Sequence, residues 1–197
     1  MWTYEKRLQY PVKIKNTNAR LAKMIITQYG GPDGEIGASL RYLSQRMAMP
    51  YPELKGILTD VGTEELGHME MVAAIVHQLT RNLTPKQIEE QGFADYFVDH
   101  TLGVYPIAAS GVPFSAGAFA VKGDVFADLH EDLAAEQKAR ATYDNILRFC
   151  DDPDVRDPIQ FLRAREVVHF QRFGEGIRLA QDRMNAKNFY AINPAFD

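Results

Sequence analysis

DVGTEELGHMEMVA (residues 60–73) and REVVHFQRFGEG (residues 165–176) decide how this chain folds. The pair Glu65-x-x-His68 in the first returns 101 residues later as Glu166-x-x-His169 in the second. A lone glutamate precedes each pair by 30 residues: Glu35 before Glu65, and Glu136 before Glu166. Tyr42 recurs as Tyr143 at the same interval, and Pro52 as Pro153. A single Glu-x-x-His arises by chance on helix surfaces. Two of them, each trailing a lone glutamate by an identical distance, do not.

Working outward, prolines and glycines cut the chain into helices. Residues 1–17 read as an extended arm, with Pro11 among Tyr, Val and Ile and no helical period. Asn18 caps a helix to about Thr27, which Gly30, Gly31 and Pro32 end. Asp33 is the expected cap of a helix to about Met49. Long helices follow from about Pro52 to Thr80, Lys122 to Phe149 and Pro153 to Asn185, with a short one from Thr84-Pro85 to Gln91. Residues 92–121 are expected to be a crossover, since Thr101–Ala120 carries glycines, two prolines and no charge. Residues 186–197 form an aromatic tail. The reading is all-α: a four-helix bundle of the ferritin-like kind, spanning residues 1–197 as a single domain with extended terminal arms.

Each lone glutamate and its Glu-x-x-His lie about fifteen residues either side of a turn, which at ~1.5 Å per residue puts them at one height in a hairpin. Residues i and i+3 of a helix share a face, so Glu65 with His68, and Glu166 with His169, can reach one ion. Four carboxylates and two imidazoles cannot stay buried together as bare charges. Two divalent ions neutralise them. This is the general ligand pattern of ferritin-like di-iron and di-manganese bundles, and hard oxygen donors with imidazole and no thiolate suit manganese or iron. Apolar neighbours, Leu66, Met69 and Val72 around one histidine and Val167, Val168 and Phe170 around the other, argue that the site is buried. Tyr42 and Tyr143 are placed to hydrogen-bond ligating carboxylates. His77, His100 and His130 fall off this face, and Asp132 reads more readily as solvated than as a partner of the site.

A formal net charge of −4 excludes nucleic acid as the main partner. No apolar run is long enough for a membrane span. The opening MWTYEKRLQYPVK lacks the apolar core of a signal peptide, so cytoplasmic synthesis is expected. The single cysteine, Cys150, allows no internal disulfide.

The strings GGPDGEIGASLRYLSQRM (30–47), DVGTEELGHMEMVA, DLAAEQKARATY (132–143) and REVVHFQRFGEG together resemble the manganese catalases, and within them the spore-coat branch. The resemblance runs along nearly the whole chain. It implies a ferritin-like bundle assembled as a homo-hexamer, two manganese ions per chain, and disproportionation of hydrogen peroxide to water and dioxygen. It implies Glu35 and His68 on one manganese, Glu136 and His169 on the other, and Glu65 bridging both. Glu166 is then the catalytic proton carrier just outside the metals. Location in the spore coat and contacts with other spore-coat proteins also follow from it. Some active members carry a basic residue before the third-helix glutamate, where this chain has Ala135. Two rival readings share the ligands: a structural coat protein with a metal-stabilised but weakly active site, and a di-iron peroxidase or ferroxidase.

Overall fold

A computed structural model describes residues 3–187. The aromatic tail beyond Lys187 lies outside the described residues. The chain forms α1 (Ala19–Ile25), α2 (Thr27–Gly30), α3 (Glu35–Gln45), α4 (Pro52–Thr80), α5 (Pro85–Glu90), α6 (Ala94–His100), α7 (Val125–Arg148) and α8 (Pro153–Lys187). Among the described residues the only β pairing is an isolated bridge between Ile107 and Pro113. Among the described residues no helix is long and apolar enough to cross a membrane.

Four helices make the bundle. α3 packs on α4, α7 packs on α8, and α4 meets α8 to join the two hairpins. The period that drives this is heptad-like. On α4, Leu54, Leu58, Val61, Glu65, His68, Val72, Ile75 and Leu79 follow at alternating four- and three-residue steps, and all are sealed from solvent. Val155, Ile159, Leu162, Glu166, His169 and Phe173 do the same on α8. On α7 and just past its end the stripe is Val125, Leu129, Asp132, Glu136, Ala139, Tyr143, Ile146 and Cys150. The polar residues therefore occupy core positions. Two apolar clusters lie above and below them, one built on Leu54, Leu58, Leu129 and Phe173, the other on Val72, Ile75, Ile159 and Leu162. Each buried leucine or isoleucine contributes roughly 1.5–3 kcal/mol. These clusters fund the burial of the charged layer between them.

Gly62 sets how closely α3 and α4 approach one turn before Glu65. A Cβ there would sit 2.9 Å from Leu43 Cγ, and Ser39 Oγ donates to the Gly62 carbonyl at 2.7 Å. Gly30 plays the same part for the crossover, whose Pro106–Ile107 backbone would lie 2.3 Å from an added Cβ.

The ends of the elements differ in places from what the residues suggest. Gly34, not Asp33, is the N-cap of α3, and Asp33 pairs instead with Lys138 on α7 at 3.0 Å. The helix stops at Gln45 and finishes as a 3-10 turn, Arg46–Ala48. The crossover holds a helix, α6, whose Tyr96 faces inward and whose last turn closes at Thr101 with φ 53°. Asn18 and Thr84 cap as expected, Thr84 within a reciprocal capping box with Gln87. The arm has no helix over residues 3–17 and runs along α4. Gln78 there takes both the Ile14 amide and the Val12 carbonyl, at 2.8 and 2.9 Å.

Candidate metal centre

All six residues of the duplicated pattern are buried at one level of the bundle. Glu65, His68 and His169 are fully sealed, and Glu35, Glu136 and Glu166 are 1% exposed. Atoms of Glu65, His68, Glu166 and His169 all lie within 4.8 Å of one another. Glu35 and Glu136 approach from α3 and α7 on opposite sides. Glu35 lies against Glu65 and His68, and Glu136 Oε2 is 3.5 Å from His169 Nδ1. The two imidazoles are nearly parallel, with centroids 5.3 Å apart.

Glu65 stands at the centre. Its Oε2 is 2.7 Å from His68 Nδ1, and its Oε1 is 2.8 Å from His169 Nδ1. One carboxylate thus presents one oxygen to each histidine. Several of the buried atoms that face the centre have no aligned hydrogen-bond partner: Glu65 Oε1, Glu136 Oε2, Glu166 Oε1 and His169 Nδ1. Buried polar atoms are normally satisfied, so atoms that converge without bonding one another fit a ligand set for a third party. Four carboxylates and two inward-facing Nδ1 atoms match a pair of divalent ions by charge and by hardness.

The outer contacts cross the bundle. Tyr42 of α3 donates its hydroxyl to Glu136 of α7, and Tyr143 of α7 donates to Glu35 of α3. Each tyrosine thus serves the other hairpin's lone glutamate, not the one seven residues before it. Burial, then the facing carboxylate, pushes both phenols well above their usual range and keeps them as donors.

Burial and the close approach of like charges dominate the electrostatics of the site. Burial, followed by Glu35, holds the Glu166 carboxyl far above the usual carboxylate range. Burial and then Glu65 do the same to Glu35. Burial opposes ionisation of Glu65 as well, but His169 and His68 outweigh it and hold that carboxylate below its usual range. Burial would lower both histidines, yet Glu65 foremost drives His68 up to about 9 and His169 up to about 12. The carboxylates around them thus favour the protonated form of both imidazoles.

Four residues depart from the sequence expectation or escape it. Asp132, read as solvated, is fully buried with both oxygens unpartnered, and faces Gln45, Arg41 and Glu136. The heptad stripe of α7 explains this, since Asp132 sits one turn before Glu136 on the core face. Leu66 and Met69 do not line His68 but the groove under the N-terminal arm. Glu64 lies outside the duplicated pattern. It lies 3.5 Å from His68 Nε2 and 3.1 Å from His169 Nε2, and Arg165 grips both of its oxygens at 2.7 and 3.1 Å. Its signal in the sequence is its place one turn before His68, the position that Arg165 holds before His169. His77 and His130 face solvent, and His100 stacks on Tyr105 in the crossover.

Comparison with known proteins identifies the family. The chain is 49% identical to protein CotJC of Bacillus subtilis (strain 168), over 96% of this chain and 100% of that one. It is 34% identical to a probable manganese catalase of Clostridium acetobutylicum, over 96% of this chain and 85% of the relative. The crystal structure of KatB, a manganese catalase from Anabaena, superposes with a TM-score of 0.85 at 29% identity, covering 92% of this chain and 81% of that one. A dodecameric thioferritin from Bacteroides fragilis shares the fold alone, at 16% identity and a TM-score of 0.58. Residues 1–189 match the sequence profile of the manganese-containing catalases, so the chain belongs to that family of manganese-dependent enzymes.

Proposed function

We propose that the chain is a dimanganese catalase that disproportionates hydrogen peroxide. In this reading Glu35 and His68 would hold one manganese, Glu136 and His169 the other, and Glu65 would serve both. The observation that carries it is the placement of the two Glu65 oxygens, one against each histidine Nδ1 at 2.7 and 2.8 Å. Manganese, when bound, supplies a redox pair cycling between +2 and +3 that takes and returns two electrons together.

The chain's own residues do the rest. One peroxide must lose two protons and another must gain two. Glu166 is the group to carry them: it is buried, its Oε1 is unpartnered, and its surroundings favour the protonated form. Tyr42 and Tyr143 hold the Glu136 and Glu35 carboxylates by hydrogen bonds, which fixes the free oxygens toward the centre. The apolar layers on either side keep bulk water out. Peroxide is small and neutral and needs no charged pocket to recognise it.

Val98, Val112 and Tyr105 of the crossover region are exposed apolar side chains, which supports assembly with further copies. The homo-hexamer is what the resemblance to the manganese catalases implies for that assembly, and the similarity to protein CotJC supports a place in the spore coat beside other coat proteins. One observation favours a structural coat role with a weak site: Ala135 puts a small apolar residue directly before Glu136. The test is oxygen evolution from peroxide by the manganese-loaded protein in the presence of azide, which blocks haem enzymes. Steady haem-free turnover supports the catalase. Bound manganese without oxygen release would leave the structural role. Activity only with iron would favour the di-iron peroxidase or ferroxidase.

A further inference from the structure

The outer side of the two histidines is asymmetric where the rest of the site is symmetric. Positions 64 and 165 correspond in the duplication, each one turn before its histidine. A strict repeat would place like residues there, one per imidazole. The chain instead has Glu64 and Arg165. A guanidinium only donates, so it offers nothing to an imidazole N–H. Glu64 is the carboxylate that faces the outer nitrogen of both rings, at ion-pair distance and without hydrogen-bond alignment: Oε1 is 3.5 Å from His68 Nε2, and Oε2 is 3.1 Å from His169 Nε2.

Two groups hold that carboxylate in place, and a third anchors the arm that carries one of them. Arg165 Nε and Nη2 bind its two oxygens at 2.7 and 3.1 Å, a fork-to-fork pair that fixes its plane. Gln9 of the N-terminal arm donates to Oε1 at 2.7 Å. Tyr4 of the same arm bonds Glu70, 2.5 Å away on α4, and so seats the arm on that helix. The side chain of Glu64 is 15% exposed, so the pair is partly screened but not free in solvent.

We propose that Glu64 is a positioning residue shared by both halves of the metal centre, clamped by Arg165 and Gln9, and that it turns His68 and His169 together so that both Nδ1 atoms face inward. Histidine ligands are usually oriented by a second partner on the other ring nitrogen, and loss of such a partner typically costs about 10- to 100-fold in metal affinity. Here one carboxylate serves two ligands on two ions. Its loss should therefore be felt at both metals at once. The inference rests on His68 and His169 being ligands to different ions.

The test compares Glu64→Gln, Glu64→Asp and Arg165→Gln in the full chain. Manganese retained against a chelator is measured by elemental analysis, and the coupled spectrum of the manganous pair by electron paramagnetic resonance. Glu64→Gln should lose affinity at both positions, about 10- to 100-fold, and change the pair spectrum. Glu64→Asp should recover part of both. Arg165→Gln breaks the same ion pair but leaves the acceptor, so it should lose less than Glu64→Gln. Equal losses in Glu64→Gln and Arg165→Gln would reduce Glu64 to a structural ion pair and overturn the inference. Loss of one ion only, or wild-type retention in Glu64→Gln, would overturn it too. His68→Ala and His169→Ala keep the two layers of the argument apart. If neither loses metal, the ligand assignment itself is wrong.

Discussion

Removing the metal should leave a protein whose stability falls as pH rises from neutral. In the metal-free site His68 is raised from 6.5 to about 9, with Glu65 overcoming the burial that would lower it. A raised histidine contributes stability that is fully present below its unfolded value and lost as pH climbs to its folded value. At about 1.4 kcal/mol per unit, His68 corresponds to about 3 kcal/mol lost between pH 6.5 and 9. His169, raised to about 12, changes in the same direction across that window and beyond it. Glu35 and Glu166, whose carboxyls are also raised, add nothing of opposite sign. For a chain of this length 1 kcal/mol moves the melting temperature by about 2–4 °C, so His68 alone predicts a fall of about 6–12 °C. In the metal-loaded protein both imidazoles are held neutral by coordination, and the fall should vanish. Affinity for metal should rise over the same range, because binding must displace the imidazolium protons. Thermal melts followed by circular dichroism at pH 6.5, 7.5 and 9, with and without manganese, measure this. A metal-free melting temperature that stays level or rises toward pH 9 would refute the electrostatic account.

Further outcomes follow from single residues. Glu65→Ala should release metal from both positions, since each of its oxygens faces one histidine; elemental analysis after gel filtration reads this, and retention of one ion would show that Glu65 is not the bridge. Glu166→Gln should keep both metals yet lose about a hundredfold or more in oxygen evolution, as expected for removal of a proton carrier; loss of an ion would make Glu166 a ligand. Leu58→Ala, in the fully sealed layer below the site, should cost about 2–5 kcal/mol in denaturant unfolding of the loaded protein. A cost under ~1 kcal/mol would mean that this layer is looser than the packing implies.

Much of this was legible in the chain. The duplicated Glu35/Glu65/His68 and Glu136/Glu166/His169 pattern depends only on helical spacing and equal distance from a turn, and both are local properties. Long helices such as Pro52–Thr80 announce themselves through proline at the start and a sustained period. What escaped depended on tertiary partners or on short-range competition. Asp132 looks like any surface acid until the four-and-three stripe of α7 is followed through it. Asp33 is a good cap by composition, but Gly34 takes the position and Lys138 takes the Asp33 side chain. α6 is a single seven-residue helix with no side-chain cap, held by its packing and by Tyr96 bonds to Gly103 and Tyr105. Glu64 hid because a glutamate beside a ligand reads as a solvated neighbour. Only the meeting of α4 with α8 reveals that it touches both histidines.

The central claim is a pair of manganese ions held between the two hairpins. Anomalous diffraction from crystals of the manganese-loaded protein tests it most directly. Two peaks per chain are expected flanking Glu65, one beside His68 Nδ1 and Glu35, the other beside His169 Nδ1 and Glu136. A single peak, or peaks on the outer faces of the helices, would contradict it.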